Sequence, residues 1–474
     1  MPARAKKCLA LVLLLALAVS GVLGAAAAGG IAVDDGALAT ALKDAYVTGS
    51  GGTGQIGSSA AYVMTGAGLT TITDSGNTDP GNYVAEISGT VSVPSDKVKV
   101  GLYYESTAVS VITVKNVQGS GFRFGYYDGN RDFQALSSTT ATAITVRKTD
   151  GSTYGVTVTD SAGNTLYTYD GGTDTHFSVE PILASGKAVS SINDNTYYGG
   201  FSFYRYNGGN IHVINVLDIE DYVKGVIPYE MSASWPVEAL KAQACCARTY
   251  MLMNFGRRSS LGFDLYNTAT DQVYRGTKSA TANSDAAVDQ TAGLYVTYQG
   301  ELAQTYYFAA DGGATESSQN IWVAELPYLQ GVIDPYEADI DFYCKSWSKT
   351  FTTAEISARL SQYGISALAE VQLTLSDVGN VIGLTLVDGD GSTYSFQKSA
   401  CTRFLSALGF QYTSYHFTVI HDAGADQWTV SGGGSGHNIG MSQWGAYSMA
   451  SVHGKNFQEI LGFYFRGVSL SRGV

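Results

Sequence analysis

Glu230 stands in the string VIPYEMSASWPVEALKAQACCARTY, with Ile227, Tyr229, Met231 and Trp235 as its apolar neighbours. To give and then take a proton, its carboxyl would need a pKa raised towards neutrality, which such apolar company supplies most simply. That makes Glu230 the candidate general acid/base. Lys241, Cys245 and Arg248 share one stripe of the helix expected behind it, so two cations lie on a common face. They could steady a carboxylate or hold a substrate oxygen, or form structural ion pairs. Further along, Tyr306, Tyr307 and Asp311 precede a Gly-Gly pair, and His437, Ser442 and Gln443 follow a Gly-rich stretch.

These side chains need elements to position them. Residues 213 to 254 open with Val213, Ile214, Val216, Leu217 and Ile219, partly alternating as in a strand, and then meet Gly225 and Pro228. A strand is therefore expected to deliver Glu230 to a turn. Pro236 suits the first turn of the following helix, capped by Ser232 or Ser234. Within it Val237, Leu240, Ala244, Ala247 and Met251 recur at spacings of three and four and predict one buried stripe. Helices are expected at 236–255, near 281–291, at 353–362, at about 399–408 and at 442–453. A hairpin is expected at Gln299-Gly300.

Three strings resemble, in order, the motifs of the stage II sporulation protein D (SpoIID/LytB) family. They are EDYVKGVIPYEMSASWPVEALKAQACCARTY, YYFAADGGATESSQNIWVAELPYLQGVIDPY at 306–336, and GHNIGMSQWGAYSMA at 436–450 followed by EILGFYFRGVSL. The resemblance covers residues 197–474. It implies a peptidoglycan lytic transglycosylase, or a relative that assists cell-wall amidases, and it ties Lys241 and Arg248 to positions linked with activity. It also implies that Tyr306 or Tyr307 contacts substrate and that His437 and Gln443 line a glycan groove. Two departures stand out: Ala309, Ala310 and Asp311 replace small hydroxyl residues, and Asn438 replaces a glycine.

Glycoside cleavage needs a proton for the leaving oxygen and a means of quenching the oxocarbenium-like centre. If the sugar's own C6 hydroxyl is the nucleophile, one carboxyl serves first as acid and then as base, giving 1,6-anhydro products at MurNAc-GlcNAc bonds. Asp311 as a second carboxyl would instead suit a two-carboxylate glycoside hydrolase. A noncatalytic wall-binding partner that stimulates an amidase is the other alternative. His437, Ser442 and Asp311 do not have the spacing of a nucleophile elbow.

Composition fits an extracytoplasmic protein. Arg4, Lys6 and Lys7 precede an apolar stretch and then Ala25 to Ala28, so residues 1–28 are expected to be a cleaved secretory signal, with an uncleaved membrane anchor as the alternative. With a net charge of −13, no basic field exists to bind nucleic acid. Neutral glycan strands fit better. No cofactor is expected, and no metal: the six histidines form no HExxH, and Asn267 and Asp271 lie where some family members carry Cys/His ligands before QVYRG. Cys245, Cys246, Cys344 and Cys401 are expected as buried thiols. Asp388, Asp390 and Ser392 read as a hairpin turn.

The expected class is α+β: a β-rich catalytic domain at 197–474 with a central motif helix, preceded by an antiparallel β-rich accessory domain at 96–195. Residues 351–416 form a candidate inserted subdomain, and residues 29–95 are a weakly specified Gly/Ser/Thr-rich segment.

Overall fold

A computed structural model describes residues 83–183, 186, 187 and 189–474, together with the strands Ala61–Thr65 and Gly68–Ile72. The expected signal at 1–28 and most of the segment at 29–95 lie outside the described residues. The chain is α+β and strand-rich, and no described helix is long and apolar enough to cross a membrane.

The larger of two compact units carries every candidate site residue. Its frame is a seven-stranded sheet in which β1 (Lys97–Tyr103), β2 (Gly200–Arg205) and β3 (Ile211–Asp218) lie side by side, with β3 antiparallel to both neighbours. Strands from before and after residue 195 therefore share one hydrogen-bonded sheet. Seven of the eight residues of β3 are buried, so both faces of this strand are covered. Its one amide, Asn215, is fully buried and satisfied: Nδ2 donates to the Tyr198 and Gly200 carbonyls, and Oδ1 accepts from the Tyr274 hydroxyl at 2.6 Å.

β3 does not lead into a turn. It runs directly into α1 (Ile219–Glu230), and Glu230 is that helix's last residue. Ile219, Tyr222, Val223, Val226 and Ile227 are its large apolar buried positions, a spacing of three and four that outweighs the strand-like β-branching and the presence of Gly225 and Pro228. Gly225 has a packing role. A Cβ there would lie 2.3 Å from the Tyr274 ring.

The next helix, α2 (Val237–Met253), is buried around its whole circumference rather than along one stripe, because α1, α3 (Ala282–Gln290), β4 (Leu294–Tyr298), α4 (Gln443–Ser451) and α5 (Phe457–Tyr464) all pack on it. Neither serine caps it. Pro236 takes the N-cap position, and Ser232 and Ser234 hydrogen-bond each other at 3.0 Å. After β4, Gln299 and Gly300 both have positive φ, as a two-residue hairpin turn requires. β5 (Tyr307–Phe308) then pairs in parallel with β6 (Met441–Ser442), and β7 (Ser469–Gly473) lies between β4 and Ile87–Val91 in a four-stranded sheet.

The second unit includes residues 320–322 and 346–434 and therefore contains the segment 351–416. It has two three-stranded sheets and the helices Thr353–Leu360 and Thr402–Ala407. Asp388 and Asp390 form the turn between Val381–Asp388 and Thr393–Gln397, accepting main-chain N–H groups.

Candidate active site

Half-buried at the end of α1, Glu230 accepts the Val273 N–H on Oε1 at 2.9 Å and a hydrogen bond from the Tyr307 hydroxyl. Burial raises its pKa above the ordinary glutamate value, while these two donors pull the other way. The negative end of the α1 dipole acts in the same direction as burial. A network backs the site: Gln272 Nε2 donates to the Tyr307 hydroxyl at 3.0 Å, and the Tyr222 hydroxyl donates to Gln272 Oε1 at 2.9 Å. Every member of this chain has a partner, so the carboxyl is held in one orientation. The arrangement can protonate a leaving group and stabilise the resulting carboxylate with two ready donors.

The cations expected behind Glu230 are paired elsewhere. Arg248 is fully buried and forks onto Glu220, with Nε to Oε1 at 2.9 Å and Nη2 to Oε2 at 2.7 Å, and Nη1 donates to the Leu294 carbonyl at 3.1 Å. Lys241 Nζ meets Glu238 Oε1 at 2.6 Å, and Glu238 Oε2 accepts the Phe457 N–H that opens α5. Both are structural ion pairs, and neither supports the Glu230 carboxylate directly. Glu220 and Glu238 sit among the acids of the first helical turns, and α1 being a helix is what aims Glu220 at α2.

The two distant loops reach Glu230 through β5 and β6. Tyr307 touches the glutamate, and Tyr306 lies half-buried between Tyr250 and His437, at ring-centroid distances of 6.2 and 6.3 Å. His437 accepts the Ile439 N–H on Nδ1 and also hydrogen-bonds the Tyr307 main chain. Burial lowers its pKa to about 4, so it is a neutral ring at pH 7. Ser442 is fully buried and caps α4, accepting the Gly445 N–H at 3.1 Å while its hydroxyl donates to Glu337. Gln443 is buried against Gln243. These commitments leave no hydrolase triad.

Asp311 is not a substrate contact. It is fully buried and lies with Asp334 and Glu337 in a trio whose carboxylate oxygens fall within 4.8 Å of one another. Most of those oxygens accept hydrogen bonds: Glu337 from the Asp311 and Gly312 N–H groups and Ser442, and Asp334 from Tyr464 and the Tyr336 N–H. The trio is thus a buried clasp for the second-motif loop. The two departures from the family pattern also meet here. Asn438, in the left-handed region at φ 55°, donates through Nδ2 to the Asp311 carbonyl at 2.8 Å and the Ala314 carbonyl at 3.0 Å.

Burial, followed by the charge of Asp334, raises the Glu337 pKa from 4.5 to about 7. The folded state therefore binds this proton more tightly than the unfolded state does. Its stabilising effect is complete below pH 4.5 and is lost as pH rises to about 7, a loss of about 3 kcal/mol. Thermal unfolding midpoints across that window should fall with pH, and Glu337→Gln should flatten the slope. An equally steep fall in the variant would assign the titration elsewhere.

The four described cysteines, Cys245, Cys246, Cys344 and Cys401, are free and buried, and burial raises each thiol pKa. Gln272, Val273, Tyr222 and Tyr250 complete the site without having been singled out from the sequence. The QVYRG string that supplies the first two was the available signal.

Residues 207–298 match the family model described as Stage II sporulation protein. Stage II sporulation protein D of Bacillus subtilis (strain 168) is 30% identical over 307 residues, covering 62% of this chain and 85% of that protein. An uncharacterized protein of Brachyspira hyodysenteriae is 36% identical over 295 residues, covering 61% of this chain and 76% of its own length. The Amidase enhancer of B. subtilis is 30% identical over 299 residues, which is 52% of this chain and 40% of that longer protein. The chain belongs to the stage II sporulation protein D family.

Proposed function

We propose that the protein is a peptidoglycan lytic transglycosylase that works outside the cytoplasm, exported by residues 1–28, with Glu230 as its sole acid/base. The supporting observation is the state of that carboxyl: raised in pKa, and held only by neutral donors from Val273 and Tyr307. In the forward step protonated Glu230 gives its proton to the glycosidic oxygen as the C1–O bond breaks. The C6 hydroxyl of the same sugar bonds to C1, and its proton passes to the Glu230 carboxylate, which restores the acid. No other carboxyl is needed, which accords with the burial of Asp311.

The second reading, a noncatalytic wall-binding partner of an amidase, is favoured by the relative whose name is Amidase enhancer. Digestion of purified glycan strands, with and without stem peptides, separates the two by mass spectrometry. New 1,6-anhydro ends are expected. Strand binding without new ends would favour the partner.

A further inference from the structure

Gln272 stands one hydrogen bond behind Tyr307, and its amide decides what that hydroxyl can do. The side chain is buried and engaged at both ends. Nε2 donates to the Ala247 carbonyl at 3.3 Å and to the Tyr307 hydroxyl at 3.0 Å, and Oε1 accepts from the Tyr222 hydroxyl at 2.9 Å.

These partners differ in what they can offer. A main-chain carbonyl only accepts, so the Ala247 oxygen selects the NH₂ edge of the amide; a reversed amide would set two oxygens against each other there. The Tyr307 oxygen faces the same edge and must accept from it. A phenol has a single proton, and with its oxygen already accepting from Gln272 that proton goes to the Glu230 carboxyl. Tyr222 completes the order by giving its own proton to Oε1. Hydrogen bonds in series polarise one another, so the Gln272 N–H also makes Tyr307 a stronger donor.

We infer, on the reading of Glu230 as acid/base, that Gln272 is a positioning residue: oriented by the Ala247 carbonyl, it keeps the Tyr307 hydroxyl turned to the carboxyl as a donor. The reference for that direction is a carbonyl of α2, the most enclosed helix of the unit. A donor held this way favours the carboxylate and opposes the burial that raises the Glu230 pKa, so the two together set where the group titrates. The ionisable groups that face it are Tyr307 on β5 and Tyr222 on α1, both raised in pKa by burial. Behind them lie Cys246 of α2, raised likewise, and Asp271, which pairs with Arg258 at 3.4 Å.

The test reads ionisation rather than turnover. The full chain is grown with glutamate carrying ¹³C at the side-chain carboxyl, and the Glu230 resonance is identified by its loss in Glu230→Gln. In Gln272→Met its titration midpoint should move up by about one pH unit, because Tyr307 is weakened as a donor and free to turn away. Tyr307→Phe should also raise it, and the double variant should go no further than Tyr307→Phe alone, since the amide acts only through the hydroxyl. A residue that merely supported the fold would add its own effect. Should Gln272→Met fail to fold, the parent with ¹⁵N-labelled glutamine side chains gives the answer: one amide signal should follow the Glu230 midpoint and cease to do so in Tyr307→Phe. An unmoved midpoint in folded Gln272→Met, an additive double variant, or no amide that follows Glu230 would overturn the role. Failure of the catalytic reading looks different, because the midpoints would then move as expected although wild-type protein leaves no anhydro ends.

Discussion

Glu230→Gln should fold like its parent and release about 10⁴-fold less 1,6-anhydro product from glycan strands. The amide keeps the shape of the side chain and an oxygen to accept the Val273 N–H, so the end of α1 is undisturbed. It has no proton to give at neutral pH and cannot take one from the C6 hydroxyl, so both halves of the reaction fail together. Circular dichroism and the unfolding midpoint report the fold, and mass spectrometry of the digest reports turnover. Anhydro ends released by the pure variant would remove Glu230 from the role. Tyr307→Phe provides the complementary test. Loss of the hydroxyl that steadies the carboxylate raises the Glu230 pKa further, so the protonated form persists to higher pH. The alkaline limb of the pH–rate profile should move upward.

Glu220→Gln should cost about 3–5 kcal/mol of stability, read as a fall in the urea midpoint at constant slope. Arg248 is then left as a buried guanidinium without its charge partner, and the Gly293 N–H loses the carboxylate it donates to at 3.0 Å. Arg248→Met removes the buried charge along with its partner's purpose and should cost less. Below their melting temperatures both variants should retain the parent's pH–rate limbs, because neither group touches Glu230. A shifted limb without lost stability would return Arg248 to the catalytic machinery.

Much of this was legible in the chain, for physical reasons that differ by element. The buried helix at 237–253 announces itself through small and apolar residues at every turn, and the turn at Gln299-Gly300 through Gly300, which takes positive φ without steric cost. α1 was misread because Gly225, Pro228 and the β-branched residues around them mimic a strand entering a turn. Its 219-222-223-226-227 spacing, with Glu220 and Asp221 in the first turn, was the better signal. α5 was also missed, although Asn456 and Glu459 form a capping box at its start. The pairing of Arg248 with Glu220 could not be read locally, since it depends on which way α1 faces α2, whereas Glu238 and Lys241 are an i, i+3 pair on α2 itself. Nor could the burial of Asp311, since the partners that define it lie 23 and 26 residues further on.

The parallel pair β5 and β6 joins residues more than 130 positions apart, and β7 inserts between strands from near 90 and near 296. Such contacts are formed late in folding, because long loops must close before they are rewarded. α1 and its carboxyl can form early from local contacts, but the tyrosine that engages Glu230 is anchored only when residues 441–442 dock beside it. On the reading of Glu230 as acid/base, the site is thereby completed after its scaffold, and a chain that has folded only as far as α3 carries the glutamate without its Tyr307 partner.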